Sequence, residues 1–434
     1  MGVGLAFANG DRAMTQANPS ASDLAAGLPL DDIEGRHREA KSTDIFERIA
    51  NFELMDQAQA VGLYPFFKPI ELNEGAEAVV DGKRVLMLGS NNYLGLTRHP
   101  KVMAAAARAL ERFGPSMTGS RLLNGTTPLH EELEERIATF LGTESAIVFS
   151  TGYLANLGVI SSLVDRGCWA VIDKGVHASI YDGVAMALGK SRRFRHDDVQ
   201  HLDDMLRRLP DDEGRLVITD GVHSMSGGIA PLPEIQEVCR RHNTRLLVDD
   251  AHAIGTIGPT GRGTASHFGV DGPDITIGTF SKSLASVGGF AAGPRDIMEY
   301  VKHFGRPMIF TAALPPASVA AALAALELID EEPWRVCRIQ EIGAKMRDGL
   351  RAAGFDIGDS ETPIIPIRVG DEVKTALFWK DLLDNGVYTN ASIVPAVARG
   401  QALLRTSYIA THNEEQLDEA LEKFEQIGRR HGII

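Results

Sequence analysis

The chain has 434 residues, of which 44% are hydrophobic and 24% charged, a composition typical of globular proteins and long enough for two or three domains. Its net charge of −14 argues against a dedicated nucleic-acid-binding protein, which usually carries a basic patch, although a small local cluster could still bind an anionic ligand. Three scattered cysteines (Cys168, Cys239 and Cys337), no apolar run of about 18 residues and no signal peptide predict a cytoplasmic protein without disulfides, metal site or transmembrane segment.

The character of the predicted elements changes along the chain. Residues 1–40 are polar and rich in small side chains, which predicts a flexible N-terminal tail, followed by an N-terminal helix and strand segment over residues 41–84. From 85 to 312, apolar β-type runs alternate with helical patterns, which predicts a large α/β domain with a mostly parallel sheet. Residues 313–434 contain two long helical stretches, "TPIIPIRVG" and a terminal helix, so we expect a smaller C-terminal α+β domain.

Five candidate strands of the large domain end in small or polar residues: "SAIVFSTG", "CWAVID", "RLVITDG", "RLLVDDA" and "DITIGTF". A helix is predicted after Thr127, which can cap it, with Pro128 in its first turn and Gly142 at its end. Asn413 can cap the terminal helix in the same way. Because ligands gather at the carboxyl ends of strands in an open α/β sheet, the residues after these strands form the candidate site.

Residues that could bind a cofactor follow the strands in turn. Gly152 and Tyr153 stand at the first strand-to-helix turn, where free backbone N–H groups can hold a phosphate. The later strands are followed by polar or ionisable residues: His177, Ser224, Asp249, His252, Thr279, Ser281 and Lys282. Taken singly, each has an ordinary explanation as a loop residue, a cap or a partner of nearby backbone. The set as a whole favours a binding site.

Lys282 is the most informative of these residues, because lysine is rarely buried without a partner and "DITIGTFSKSLASVGGF" places it directly after an apolar strand. Pyridoxal 5′-phosphate requires a lysine that forms a Schiff base, an acid at the ring nitrogen, an aromatic side chain that stacks on the ring and a phosphate cradle. Lys282 and Asp249 can supply the first two, and Thr279 and Ser281 can hydrogen-bond the phosphate. We therefore predict a pyridoxal-phosphate enzyme, and on these residues alone a plain aminotransferase remains an alternative.

The sequence also resembles the α-oxoamine synthases, pyridoxal-phosphate enzymes of the aspartate-aminotransferase-like fold (fold type I). The resemblance runs from about residue 45 to the end and includes "RVLMLGSNNYLGL", "GSRLLNGTTPLHEELE", "HASIYDG", "VDDAHAIG", "GTFSKSLASVGGF", "FTAALPPAS" and "LLRTSYIATH". It is strongest to bacterial members that condense L-serine with a long-chain acyl thioester. It implies decarboxylative condensation of serine with palmitoyl-CoA, or an acyl carrier protein thioester, to give 3-oxosphinganine in the first step of sphingolipid synthesis.

The resemblance also implies roles for individual residues. His177 is expected to stack on the cofactor ring and, with Lys282 and Asp249, to be catalytic. Ser224 and His252 are expected to bond the phenolic oxygen or its surroundings.

Further roles concern the substrates and a second subunit. The resemblance implies a homodimer with a shared active site, in which Thr311 reaches the phosphate of the partner subunit, and it leaves a peripheral contact with the inner membrane open. Arg405 matches an arginine that binds the amino-acid carboxylate, which suits its bidentate guanidinium. Asn92 and Tyr93 match residues near the substrates, although a turn between strand and helix explains them equally well. Lys68 is interpreted as a solvated surface lysine rather than a contact of the acyl donor.

The chain departs from the family pattern in one loop. Some members carry an arginine and a Pro-Pro-Thr-type sequence shortly before the counterpart of Arg405, whereas this chain reads "SIVPAVARG", with Ile393 and Ala396 in those places. The substrate contacts of that loop are therefore open. Two alternatives remain: a sister synthase that uses glycine or alanine with another acyl thioester, and a catalytically silent partner subunit. The presence of Lys282 and Asp249 argues against the second.

Overall fold

The computed structural model describes residues 43–47, 58–60, 62–394 and 396–434. The tail predicted over residues 1–40, and most of the segment in which a leading helix is expected, lie outside the described residues. The strands are β1 (Leu72–Asn73), β2 (Glu77–Val80), β3 (Lys83–Met87), β4 (Ser145–Phe149), β5 (Cys168–Asp173), β6 (Lys190–Phe194), β7 (Gly214–Asp220), β8 (Arg245–Asp249), β9 (Ile275–Thr279), β10 (Gly289–Gly293), β11 (Ile364–Gly370), β12 (Val387–Tyr388), β13 (Asn390–Ser392) and β14 (Ala402–Ser407). The helices are α1 (Pro100–Phe113), α2 (Pro128–Leu141), α3 (Gly152–Leu163), α4 (Ala178–Met186), α5 (Val199–Leu206), α6 (Leu232–Arg241), α7 (Thr264–Phe268), α8 (Arg295–Phe304), α9 (Arg306–Phe310), α10 (Pro316–Glu331), α11 (Trp334–Ala353), α12 (Glu372–Asp384) and α13 (Glu414–Arg430), with a 3₁₀ turn at Leu96–Arg98.

A seven-stranded sheet forms the centre of the fold, in the order β4-β10-β9-β8-β7-β5-β6. Only β10 runs against its neighbours in this sheet, so the prediction of a mostly parallel sheet in an α/β domain is confirmed. All five candidate strands are present. The sequence analysis missed β6, a charged edge strand of sequence KSRRF, and β10, of sequence GFAAG, because neither has the apolar run of a buried strand.

The central strands are apolar along their length because helices cover both faces of the sheet. Consecutive residues of β5, Val171 and Ile172, belong to two different hydrophobic cores, and the same holds for Val217 and Ile218 of β7. Successive side chains of a strand point to opposite faces, so each strand contributes to both cores. This burial leaves the strand ends and their loops as the places where polar side chains can be exposed to a ligand.

The predicted helix ends are also confirmed. Thr127 is the N-cap of α2, and Gly142 ends this helix in the left-handed region at a φ of 69°. Asn413 caps α13 through a reciprocal pair of hydrogen bonds: its side chain accepts from the Gln416 N–H at 2.8 Å, and Gln416 Oε1 accepts from the Asn413 N–H at 3.1 Å.

The C-terminal region combines an antiparallel sheet, β11-β14-β13, with helices α11, α12 and α13. A second, four-stranded sheet joins β1, β2 and β3 to β12, which runs parallel to β3. The strand that begins the predicted large domain thus pairs with the C-terminal region and not with the central sheet. In the described part of the chain, no helix has both the length and the apolar character needed to cross a membrane.

Candidate active site

The carboxyl ends of β4, β5, β7, β8 and β9 meet at one edge of the central sheet. The loops that follow them enclose a cavity of about 320 Å³, here called the inner cavity. All residues that the sequence analysis took from these strand ends line it: Gly152, Tyr153, His177, Ser224, Asp249, His252, Thr279, Ser281 and Lys282. The fold therefore brings together side chains that are up to 130 positions apart in the sequence, from Gly152 to Lys282.

Lys282 follows β9 and places its amine on the wall of the inner cavity. Among the described residues, none forms a hydrogen bond or ion pair with this amine. The pKa of this amine is lowered from an ordinary value of 10.5 to about 8, mainly by burial. The positive charge of Arg405 also lowers it, whereas the carboxylates of Asp249 and Asp220 raise it. The neutral amine, which can act as a nucleophile or base, is therefore far more populated near neutral pH than in an ordinary lysine.

Asp249 ends β8 and is buried, with 6% of its surface exposed. Its Oδ2 accepts a hydrogen bond from Asn156 Nδ2 at 2.7 Å, and its Oδ1 accepts from the Ala251 N–H at 2.9 Å. These two donors fix the carboxylate at the cavity wall. A fixed, buried carboxylate without a cationic partner in hydrogen-bond contact is suited to pair with a protonated nitrogen of a ligand.

Asp220 is a site residue that the sequence analysis missed. It ends β7 in register with Asp249 on the neighbouring strand, is buried and lines the inner cavity. Its Oδ2 accepts from the backbone N–H of His177 at 3.1 Å, whereas its Oδ1 is buried and has no partner among the described residues. Burial raises its pKa well above the usual value, and the nearby charge of Asp249 adds to this effect.

His177 caps helix α4 and faces the inner cavity. Its Nδ1 accepts from the Ser179 N–H at 3.3 Å and lies 2.8 Å from Ser179 Oγ, which leaves Nε2 as the nitrogen that carries the proton in the neutral ring. Burial lowers the pKa of the His177 ring. The negative charge of Asp249 raises this pKa, and the positive charge of Lys282 lowers it further. A neutral ring held in this way can stack on a planar ligand.

The N-terminus of α3 forms an anion cradle. Thr151 caps this helix through Oγ1, which accepts from the Leu154 N–H at 3.0 Å, while the N–H groups of Gly152 and Tyr153 have no acceptor among the described residues. A Cβ on Gly152 would lie only 3.0 Å from Thr279, so glycine is needed for this close approach. The hydroxyls of Thr279 and Ser281 lie 2.8 Å apart beside the helix end. Backbone N–H groups, a helix dipole and hydroxyls are the donors that bind phosphate.

A hydrogen-bond network extends from His252 into the protein. Its Nδ1 lies 2.8 Å from the Tyr93 hydroxyl, and Arg405 Nη2 donates to that hydroxyl at 3.4 Å and to Asn91 Oδ1 at 3.0 Å. Arg405 Nε donates to the backbone oxygen of Ser224 at 2.6 Å. Tyr93 and Arg405 line neither cavity of this site, so the structure places these two predicted residues one contact behind the inner cavity.

A second cavity of about 490 Å³, here called the side cavity, adjoins the inner one. The two cavities share Ser281, Lys282 and Val287 as lining residues. Asn92 lines the side cavity, although its own amide is engaged with Thr97, donating to Oγ1 at 2.9 Å. The remaining apolar lining of the side cavity consists of small residues: Ala106, Ala285, Ala317 and Ala321. Lys282 therefore stands where the two chambers meet, and the side cavity combines this small apolar lining with polar side chains such as Ser90, Thr97, Ser286 and Ser318.

Four positions that the sequence analysis singled out lie elsewhere. Thr311 directly follows α9 and lines neither cavity of this chain, and its predicted role at a second subunit stays a prediction. Lys68 pairs with Asp81 at 3.0 Å on the surface. Ile393 and Ala396 form a turn in which the Ala396 N–H donates to the Ile393 oxygen at 2.8 Å, and neither lines the two cavities.

Comparison with known proteins agrees with this geometry. The family model "Aminotransferase class I and II" matches residues 83–424. A serine palmitoyltransferase of Sphingobacterium spiritivorum is 44% identical over 88% of this chain and 96% of its own length. An 8-amino-7-oxononanoate synthase of Symbiobacterium thermophilum is 41% identical over 88% of this chain and 98% of its own length. A solved structure of a serine palmitoyltransferase with its pyridoxal phosphate internal aldimine, 40% identical, has a TM-score of 0.88 and covers 90% of this chain and 100% of its own. The chain therefore belongs to the aminotransferase class I and II family and, within it, to the α-oxoamine synthases.

Proposed function

We propose that this protein is a pyridoxal-phosphate-dependent serine palmitoyltransferase, which condenses L-serine with a long-chain acyl thioester to give 3-oxosphinganine, CO2 and a free thiol. The observation that carries this proposal is the position of the Lys282 amine. It has a lowered pKa, lies in one chamber with an anion cradle and a buried carboxylate, and borders a second chamber lined by four alanines and a valine together with serine, threonine and asparagine side chains. The serine palmitoyltransferases among the relatives support the choice within the family.

The residues present fit pyridoxal phosphate. The phosphate would be held by the hydroxyls of Thr279 and Ser281 and by the free N–H groups of Gly152 and Tyr153. Any side chain at Gly152 would place its Cβ 3.0 Å from Thr279 and so narrow this cradle. The unpartnered Oδ1 of Asp220 further indicates that a polar group completes the inner cavity.

Bound pyridoxal phosphate supplies an electron-accepting ring that stabilises negative charge at Cα of the amino acid. Asp249 is the carboxylate available to keep the ring nitrogen protonated, because two protein donors already hold it in place. His177, with its fixed imidazole, would hold the ring from one side. Lys282 Nζ would carry the cofactor and, when free, would take the proton from Cα of serine, which its lowered pKa favours.

The substrates would occupy different parts of the site. Arg405 lies one contact behind the inner cavity and would supply positive charge for the serine carboxylate. Its guanidinium donates to the backbone oxygen of Ser224, so it would act across this contact or after its side chain changes position. The side cavity, with its alanine and valine lining beside Lys282, is suited to the acyl chain. A site with two chambers at one lysine fits a condensation of two substrates better than an exchange of amino groups.

Product analysis tests this function directly. Purified protein with pyridoxal phosphate would be incubated with carboxyl-labelled serine, alanine or glycine and with coenzyme A thioesters from octanoyl to stearoyl. We expect labelled CO2 and the mass of 3-oxosphinganine from serine and palmitoyl-CoA. Preference for alanine or glycine would assign a sister activity, such as 8-amino-7-oxononanoate synthase or 2-amino-3-oxobutyrate ligase. Formation of keto acid without CO2 would indicate an aminotransferase and contradict the proposal.

The lowered pKa of Lys282 predicts the pH dependence of cofactor capture. Only the neutral amine attacks an aldehyde, and a folded-state pKa of about 8 means that the neutral fraction rises up to this pH and levels off above it. The rate at which the apoenzyme captures pyridoxal phosphate, followed by absorbance between pH 6.5 and 10, should therefore reach a plateau above about pH 9. A rate that continues to rise tenfold per pH unit up to pH 10 would show that the amine has an ordinary pKa.

A homodimer, with Thr311 of each subunit at the phosphate of the partner's site, also belongs to this proposal, as do a cytoplasmic location and a peripheral contact with the inner membrane. The position of Thr311 outside both cavities of its own chain supports the first of these. The three free cysteines, of which Cys168 and Cys239 are at least partly buried, are compatible with a reducing compartment.

A further inference from the structure

Two histidines and an aspartate come together outside the inner cavity. His196 and Asp197 lie between β6 and α5, and His223 lies just after β7. One ligand atom from each of the three side chains can be chosen so that all lie within 4.8 Å of one another. We propose that His196, Asp197 and His223 bind one divalent transition-metal cation, and that Zn²⁺ is the ion whose preferences they match. The inference is independent of the proposed function.

Two of the distances within this cluster are close to those of a metal site. His223 Nε2 lies 3.1 Å from Asp197 Oδ1, and His196 Nε2 lies 3.5 Å from Asp197 Oδ2. The two imidazole rings are 4.2 Å apart and inclined by 76°. Zinc bonds to nitrogen and oxygen are about 2.0–2.2 Å long, so donor atoms around a tetrahedral ion lie roughly 3.4 Å apart. A small movement of the rings is enough to seat the ion.

Asp173 orients the His196 ring for this role. This carboxylate is fully buried, and its Oδ1 accepts from His196 Nδ1 at 2.8 Å. Its Oδ2 accepts from the backbone N–H of Asp197 at 2.8 Å, so the same residue positions two of the three ligands. A histidine that donates Nδ1–H to a carboxylate presents the lone pair of Nε2, which is the arrangement found around metal-bound histidines.

His223 is the buried member of the cluster. It is only 3% exposed, and its Nε2 lies 3.1 Å from Asp197 Oδ1. This nitrogen is therefore placed at the cluster while the rest of the ring is enclosed by protein.

The cluster is open to solvent on its other side. The side chains of His196 and Asp197 are 42% and 31% exposed, which leaves access for the ion and for water as a fourth ligand. Two nitrogen donors and one carboxylate favour Zn²⁺ or a related transition metal, because Mg²⁺ and Ca²⁺ prefer oxygen ligands alone.

A bound ion would connect the loop between β6 and α5 to the loop after β7, in which His223 directly precedes Ser224 of the inner cavity. Asp173, which bonds His196, leads into the loop that ends at His177. None of the three ligands lines the inner cavity itself. The ion would therefore hold two strand-end loops together from outside the cavity, and we expect it to stabilise the fold rather than to take part in chemistry.

Zinc titration of tag-free holoenzyme tests the proposal, with calorimetry for stoichiometry and X-ray absorption for ligand type. We expect one Zn²⁺ per chain with nitrogen and oxygen ligands, and an affinity that falls about tenfold or more in His196→Gln and in Asp197→Asn. Asparagine tolerates the positive φ of 52° at residue 197, so this variant preserves the backbone. His303→Gln is the matched control, because His303 is an exposed histidine that lies 3.8 Å from one carboxylate, Glu299, and belongs to no group of three possible ligands among the described residues. The zinc affinity of this variant should equal that of the parent.

Thermal unfolding gives a second measurement. Zinc at about 100 times its dissociation constant for the parent protein should raise the unfolding temperature of the parent by a few degrees, and that of Asp197→Asn by about half as much or less at the same concentration, while Mg²⁺ should have no effect on either. Three results would overturn the proposal: absence of stoichiometric binding, equal binding by His196→Gln and the parent, and sulfur ligands, which would point to a cysteine such as Cys337. If Asp197→Asn fails to fold, His196→Gln, whose side chain is exposed, decides the question.

Discussion

Replacing Lys282 with alanine is expected to lower turnover of serine and palmitoyl-CoA on the order of 10⁴-fold or more, because one amine serves as the covalent link and as the base at Cα. Cofactor should still bind through the anion cradle, but borohydride treatment should no longer attach it to the protein. Turnover, and mass spectrometry of the peptide that contains residue 282 after reduction, measure the two effects.

The stability of the Lys282→Ala variant separates loss of chemistry from loss of fold. Burial lowers the pKa of this amine and no described residue bonds it, so its removal should leave the unfolding temperature unchanged or slightly higher. Added methylamine, which can enter the space left by the side chain, should restore part of the activity. Lys174→Ala is the matched control, since Lys174 is an exposed lysine in the loop before His177. Turnover by Lys282→Ala within tenfold of the parent would contradict the proposed role.

Much of the inner cavity could be predicted because strand ends are marked in the sequence. Lys282, Asp249 and His177 follow apolar runs directly, and the parallel sheet brings such positions to one edge. Asp220 could have been found by the same rule, since "VITDG" ends its strand as "LLVDD" ends the next, and the two aspartates are in register. Its role is hidden in the sequence because its interaction, the N–H of His177, comes from another loop.

Other residues could not be predicted, because their positions depend on tertiary packing. Asn156 lies on the second turn of α3, where nothing in "GYLANLG" distinguishes it from a solvent-facing amide, yet it holds Asp249 in place. Arg405 is matched by its sequence context, but only the structure shows that its guanidinium is already bonded to Ser224 and Asn91. The His196 and His223 rings meet across two loops, so their spacing in the sequence carries no metal-binding pattern.

Replacing Asp249 with asparagine is expected to lower kcat/KM by about 10²–10³-fold, because a fixed charge at the reacting ring is lost. Both carboxylate oxygens of Asp249 accept protein N–H groups, from Asn156 and Ala251. An asparagine offers one acceptor oxygen, so one of these donors faces an amide NH2, which should reduce the free energy of unfolding by about 1–3 kcal/mol. Steady-state kinetics and denaturant unfolding measure these two changes.

The Asp249→Asn substitution is also expected to lower the pKa of the Lys282 amine. The Asp249 carboxylate raises the pKa of the Lys282 amine against the larger effect of burial, so its removal should bring that pKa below about 8. Cofactor capture by Asp249→Asn should then reach its plateau at a lower pH than in the parent, even though turnover falls. Asp250→Asn is the matched control: Asp250 is the adjacent buried aspartate, but it bonds Thr264 and lines neither cavity, so its kcat/KM should stay within a few fold. Equal losses of activity in the two variants, or an unshifted plateau, would show that the charge of Asp249 does not act at the amine and the ring.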